Sequence, residues 1–164
     1  MQEIFQKLAA NNFSDLAGLR ADATIPVSES LINEVIAASL QGNKTIQSSP
    51  VFIHEQNRVS VRLKTSLLPW PFHLKLRLDH LVDLGSFASP KVRAWLENHH
   101  LLGNLGSLFN VLPEWAKLYV NQVVIDLGYF LRTPEQRKLF DLVKAVEVRT
   151  EEGKAIFDVR IEVD

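Results

Sequence analysis

The sequence predicts an α+β domain, an antiparallel sheet built from hairpins and packed against a long amphipathic helix and further short helices. Three observations carry this expectation. Apolar residues recur at helical spacing over 31–40, and they alternate with polar residues over 59–63 and 72–78. The alternating stretches also come in pairs joined by short turns, rather than singly between helices. With 164 residues, 46% apolar and 23% charged, the chain has the composition of one globular domain, read as 1–164.

The elements follow in order. Ile4, Phe5 and Leu8 share a helical face, which gives a short peripheral helix within 1–22. The long helix is expected over 28–41, after Ile25-Pro26-Val27. Ser28 is a natural N-cap, and Val27 and Ile32 occupy the positions of a hydrophobic staple. Leu31, Ile32, Val35, Ile36 and Leu40 form its stripe, and Gly42 stops it. From Ile46 the period becomes two. Val51, Phe52 and Ile53 lead through Glu55-Gln56-Asn57 into Val59, Val61 and Leu63, a hairpin. Phe72, Leu74, Leu76 and Leu78 then alternate with His73, Lys75, Arg77 and Asp79, completing a three-stranded meander. Pro50, Pro69 and Pro71 stand at or near strand boundaries, where a missing N–H does little harm.

Ser89-Pro90 predicts a helix start, and Val92, Trp95, Leu96 and His99 continue it at helical spacing. A strand through Val92, Ala94 and Leu96 competes, and the helix is the favoured reading. Leu105, Leu108, Phe109 and Leu112 suggest a second short helix that ends at Pro113. Residues 117–120 and 123–127 read as two strands about a turn at Asn121-Gln122. Thr133-Pro134 with Gln136 opens another helix, carrying Leu139, Leu142 and Val143. A hairpin of 146–149 and 155–163 closes the chain through Glu151-Glu152-Gly153.

The strand over 72–78 cannot hold itself in place. Burying its four large side chains contributes about 6–12 kcal/mol, whereas fixing seven backbone residues costs about 7–14 kcal/mol. Something must cover its apolar face, and the stripes at 31–40 and 105–112 are the candidates. Either sheet and helix close into a packed core, or they leave a groove for an apolar ligand.

The phrase Ala-Thr-Ile-Pro-Val-Ser-Glu-Ser-Leu-Ile-Asn-Glu-Val-Ile-Ala, residues 23–37, resembles the helix opening of tubular lipid-binding (TULIP-like) bacterial domains. Val-Val-Ile-Asp-Leu at 123–127 and the closing hairpin at 146–163 are similar to the second half of those domains. The likeness covers 23–80 and 113–163, is carried by hydrophobic alternation, and leaves 85–112 without a counterpart. It implies a long helix lying along a strongly curved antiparallel sheet, with acyl chains held in the seam. On that reading Leu31, Val35 and Ile36 face Phe72, Leu74, Leu76 and Leu78 across the site.

Composition narrows the chemistry. There are no cysteines, so disulfides, thiolate metal sites and cysteine nucleophiles are excluded. No apolar run approaches the roughly 18–20 residues of a membrane-spanning helix. The N-terminus lacks the basic start and apolar stretch of a secretory signal, and with Met1 it reads as cytoplasmic; a removed signal replaced by an engineered Met is the alternative. Between Gln56 and Leu78 there are five Lys or Arg residues and no Asp or Glu. Pairing of the two strands puts Arg62, Lys64, Lys75 and Arg77 on one face, a patch suited to anionic headgroups or phosphates. The sequence places no aromatic residue among them, which argues against nucleic acid.

Adjacent His99 and His100 diverge, so no metal site is expected, and no cofactor is implied. Gly103-Asn-Leu-Gly106 has GxxG spacing without a neighbouring cation and reads as a helix break. Phosphate loops, nucleophile elbows and zinc-protease signatures are absent, so no enzyme is nominated. Trp70, Trp95 and Trp115 belong to the core if buried and to an association patch if exposed. The expected function is non-enzymatic binding of a lipid or other apolar ligand between helix 28–41 and the sheet. Two alternatives stay open: a protein-interaction or structural module with a packed core, homo-oligomers included, and anionic-surface binding through the basic face.

Overall fold

Period-two alternation decides the architecture. The computed structural model describes residues 17–67, 69–84, 90–97, 112–131 and 133–163. In chain order they form β1 (Arg20–Ser28), α1 (Glu29–Ser39), β2 (Ile46–Ser48), β3 (Val51–His54), β4 (Arg58–Thr65), β5 (Phe72–Leu78) and β6 (Lys91–Leu96). These are followed by β7 (Ala116–Tyr119), β8 (Gln122–Asp126), a 3-10 turn (Leu127–Phe130), α2 (Pro134–Asp141), β9 (Val143–Glu151) and β10 (Lys154–Glu162).

One sheet has the order β2-β4-β5-β6-β8-β7, with β3 also paired to β4, and the other the order β1-β10-β9. Every pairing is antiparallel. The segment after β5 joins the two sheets. Val148 donates to the His80 carbonyl at 2.7 Å, and Val82 donates to the Val146 carbonyl at 3.0 Å. Together they make a curled antiparallel half-barrel. Inside it lie Ile53, Val59, Leu76, Ala94, Leu96, Val123 and Ala155.

This corrects the expected balance of elements: strand dominates, and the described helices are short. The long helix is limited to α1. Ser28 caps it as expected, its Oγ accepting from Leu31 N at 3.3 Å, and Leu40 ends it. Residues 91–96, expected as helix, form β6, because β5 and β8 take up its backbone on both sides. Val92, Ala94 and Leu96 point inward, as the competing reading required. Arg20–Ser28 is a strand rather than a helix approach, and Pro26 is tolerated because β1 is an edge. The meander β3-β4-β5 and the hairpin β9-β10 agree with expectation, as does the start of α2; that helix ends at Asp141, so Leu142 lies beyond it and Val143 opens β9. The β7-β8 turn falls on Val120-Asn121, one residue earlier than read. The short helices read within 1–22 and 105–112 fall largely outside the described residues, although Arg20–Asp22 belong to β1.

The outward edge of β3 is closed by side chains and a turn. Asn33 donates to the Val51 carbonyl at 2.8 Å and accepts from Val51 N at 2.7 Å. One helical turn earlier, Glu29 accepts from Ile53 N at 2.7 Å. The Ile53 carbonyl accepts from Gly153 N at 3.0 Å, in the turn between β9 and β10. Residues i and i+4 of the helix thus match residues i and i+2 of the strand. Opposite, the Asn57 side chain donates to the Val148 carbonyl at 3.0 Å and accepts from Thr150 N at 2.9 Å. The bonds of Asn33 and Glu29 fix α1 against β3, and those of Asn57 fix the β3-β4 turn against β9.

Candidate functional site

The apolar side chains of β4, β5, β6, β7 and β8 converge under the C-terminal half of α1 without filling the space. They leave a cavity of about 100 Å³. Ile36 and Leu40 come from the helix, Val61 and Leu63 from β4, Leu74 and Leu76 from β5, and Leu96 from β6. Trp115 and Ala116, Leu118, Val123 and Ile125 close the far side.

Among the described residues, two lining side chains carry a polar atom. One is Ser49; the other is Trp115, whose buried indole Nε1 has no hydrogen-bond partner among the described residues. The indole is held by an inclined contact with Phe130, ring centres 5.7 Å apart. A buried donor left without a partner costs about 1–3 kcal/mol. Among the described residues no titratable side chain lines the cavity, and the lining offers a ligand apolar contact.

The structure brings together three of the seven expected groove residues: Ile36, Leu74 and Leu76 line the cavity. Leu31 and Val35 are 49% and 42% exposed and point away from it. The inward face of α1 is set by Ile32 and Ile36, which pack on the core. Phe72 is buried and Leu78 half-buried, but neither lines the cavity. Trp115, expected in the interior if buried, is buried and lines the cavity, whereas Ala116, Val123 and Ile125 are absent from the expected groove although alternation in β7 and β8 is a usable signal.

The basic residues share the outer face as expected. Arg62 pairs in register with His73, and Arg58 with Arg77, while Lys64 lies farther along β4 and Lys75 on β5. Arg58 and Arg77 both contact Glu97, at 3.5 and 3.2 Å. The strand at β6 adds Lys91, Arg93 and Trp95 to this face, and β3 adds Phe52. Aromatic side chains are therefore present on it, contrary to the expectation. Trp95 donates to Asp79 at 2.8 Å.

A larger open cleft of about 710 Å³ runs past Asp79, His80, Asp83, Arg93 and Lys144. Its charges are spent locally: Arg93 pairs with Asp83, and His80 Nε2 lies 3.0 Å from Glu147. Among the described residues no group of three His, Asp or Glu side chains is placed to hold a metal. His99, His100, Gly103 and Gly106 lie outside them. No described helix is long and apolar enough to cross a membrane.

A charged cluster lies elsewhere, on the β1-β10-β9 sheet. Asp158 is held below its ordinary value first by the hydroxyl of Thr24 and then by Arg149. Glu151 is lowered, chiefly by Lys154, and Arg149 is raised, chiefly by Asp158. No protein-family model, curated protein or solved structure matches the chain.

Proposed function

We propose that the protein is a non-catalytic binding domain that takes a compact apolar group, such as the end of an acyl chain, into the cavity beneath Ile36 and Leu40. The observation that carries this is the lining: aliphatic side chains throughout, with a single hydroxyl and one unpartnered indole N–H. The resemblance of residues 23–37 and 146–163 to TULIP-like domains supports the same reading. The cavity volume limits the ligand. It falls below the roughly 300–1,000 Å³ of pockets that enclose drug-sized molecules. It is on the scale of apolar cavities of about 150 Å³ that stay dry and bind benzene. One end of a ligand enters, and the rest of it stays outside.

Denaturing mass spectrometry of an organic extract of the purified protein tests this, followed by delipidation and re-addition of medium-chain fatty acids. A recovered apolar ligand, or a melting temperature that rises on re-addition, is expected. An empty extract together with an unmoved melting temperature across the series discards the proposal.

A second reading rests on Leu31 and Val35, one helical turn apart and exposed, with Ile25 on the neighbouring strand 48% exposed. Such residues suit association with another protein or a second copy. Light scattering after size-exclusion chromatography distinguishes it, since a strict monomer removes the homo-oligomer form of this reading.

A further inference from the structure

The cations of the outer face differ in what they already hold. Arg58 and Arg77 share Glu97, Arg93 is paired with Asp83, and Lys75 is also engaged. Arg62 and Lys64 are both exposed, and neither makes an ion pair with a described residue. They stand two positions apart on β4, so their stems rise from the same face about 7 Å apart. Together with Ser48, Pro50, Pro69 and Pro71 they line an open cleft of about 350 Å³. Register builds this cleft: Ser48 pairs with Lys64, and Arg62 N donates to the Pro50 carbonyl at 3.0 Å. Among the described residues no carboxylate lines it.

Two of the most exposed large apolar side chains belong to the connection from β4 to β5, whose Pro69 and Pro71 line this cleft. Leu67 is 59% exposed and Trp70 is 64% exposed. Tryptophan is ordinarily among the most buried side chains on average. Here it sits between Pro69 and Pro71, whose locked φ angles present the indole from a stiff stretch of chain. Tryptophan at the headgroup level, an aliphatic side chain beside it and unpaired cations behind it are the composition of a membrane-contact surface.

We propose that this edge of the sheet docks on an anionic phospholipid bilayer. Arg62 and Lys64 receive headgroup phosphates in the cleft, and Trp70 and Leu67 seat at the boundary between headgroups and acyl chains. The site lies on the opposite face of the sheet from the apolar cavity and does not depend on it. A bilayer is favoured over a nucleic acid because an exposed leucine beside the cations gains only from an apolar phase. A single-stranded nucleic acid would instead need aromatic rings interleaved along the cationic track. Of the aromatic rings on this face, Trp95 is tied to Asp79 and flanked by Glu97, and Phe52 on β3 does not line the cleft of Arg62 and Lys64.

Flotation of the full chain with vesicles tests the proposal, comparing phosphatidylcholine alone with phosphatidylcholine containing phosphatidylglycerol, at low and physiological salt. The wild type is expected to float only with the anionic vesicles, and less so as salt rises. Its tryptophan emission shifts to the blue on binding, and the shift is absent from Trp70→Phe. R62Q/K64Q lowers the partition coefficient about 30-fold, at one surface cation's worth per residue. K75Q/R77Q, whose cations are already engaged, stays within about threefold of wild type. Both double variants are checked for an unchanged melting temperature. Failure to float with anionic vesicles overturns the proposal, as does wild-type partitioning by R62Q/K64Q. So does the remaining outcome, in which a single-stranded oligonucleotide binds through Arg62 and Lys64 while vesicles do not.

Discussion

Asn33 offers the sharpest test of how the fold is held. Its amide makes two hydrogen bonds to one residue of an edge strand, occupying both the N–H and the carbonyl of Val51. Val51 is itself buried in the core cluster beneath α1. Each such bond contributes about 0.5–1.5 kcal/mol net, and a buried partner left unpaired costs about 1–3 kcal/mol. Asn33→Ala removes both bonds, and water at the strand edge recovers part of the loss, so about 2–4 kcal/mol of destabilisation is expected. In a chain of this length that lowers Tm by roughly 5–15 °C. Asn33→Asp is the informative companion. It keeps the acceptor for Val51 N but sets a carboxylate against the Val51 carbonyl, so it is destabilised despite its matching shape. Glu29→Gln retains an acceptor for Ile53 N and stays near wild type. Equilibrium urea unfolding reads all three, with an unchanged m-value as the check that the unfolded state is the same. The reasoning fails if Asn33→Ala lies within about 0.5 kcal/mol of wild type, or if Asn33→Asp matches it.

Further predictions concern the cavity, a strained turn and acid stability. Ala116→Leu extends into the cavity. If its added carbons fit, thermal melting shows a gain of up to about 2 kcal/mol, at roughly 0.8 kcal/mol per buried methylene; a loss shows the space to be smaller than its lining implies. Val120 has φ 45° and is 77% exposed, a backbone conformation that β-branched residues rarely adopt. Val120→Gly therefore stabilises by about 1 kcal/mol, read in the same melts, and no gain means the turn carries no strain. Asp158 and Glu151 have lowered pKa values, so their contributions are complete above their ordinary range. These contributions are lost as the pH falls through the folded values, below about pH 4. Asp158→Asn flattens that acid limb of the stability profile, modestly because the groups are exposed, and an unaltered limb refutes the assignment.

Much of the fold was legible because burial on one face writes itself into period two. The meander of β3, β4 and β5 and the closing hairpin were readable from alternation, and α2 from Thr133 and Pro134. The misses have physical causes. Arg20–Ser28 shows no clean alternation and contains Pro26; pairing with β10 makes it a strand. Ser89-Pro90 imitates a helix start, yet Lys91–Leu96 alternates without a break and is sandwiched by two strands. That error also hid Trp95 from the basic face.

In α1 the five-residue stripe is wider than the face the sheet covers, and periodicity alone does not choose between Leu31 with Val35 and Ile32 with Ile36. The cavity was the least legible feature. Trp115, Ala116 and Ile125 reach it from strands far along the chain, and only pairing through β8 brings them opposite Leu74 and Leu76. Asn33 and Asn57 were equally hidden, since each reads locally as a surface or turn residue while its amide completes another strand.

Methyl NMR of the delipidated protein titrated with octanoate addresses the central claim most directly. The account predicts shift changes and intermolecular contacts at the methyls of Ile36, Leu74, Leu76 and Leu118, with Leu31 and Val35 unmoved and all changes abolished in Ala116→Leu. Changes confined to Leu31 and Val35, or a spectrum that octanoate leaves unaltered, would contradict it.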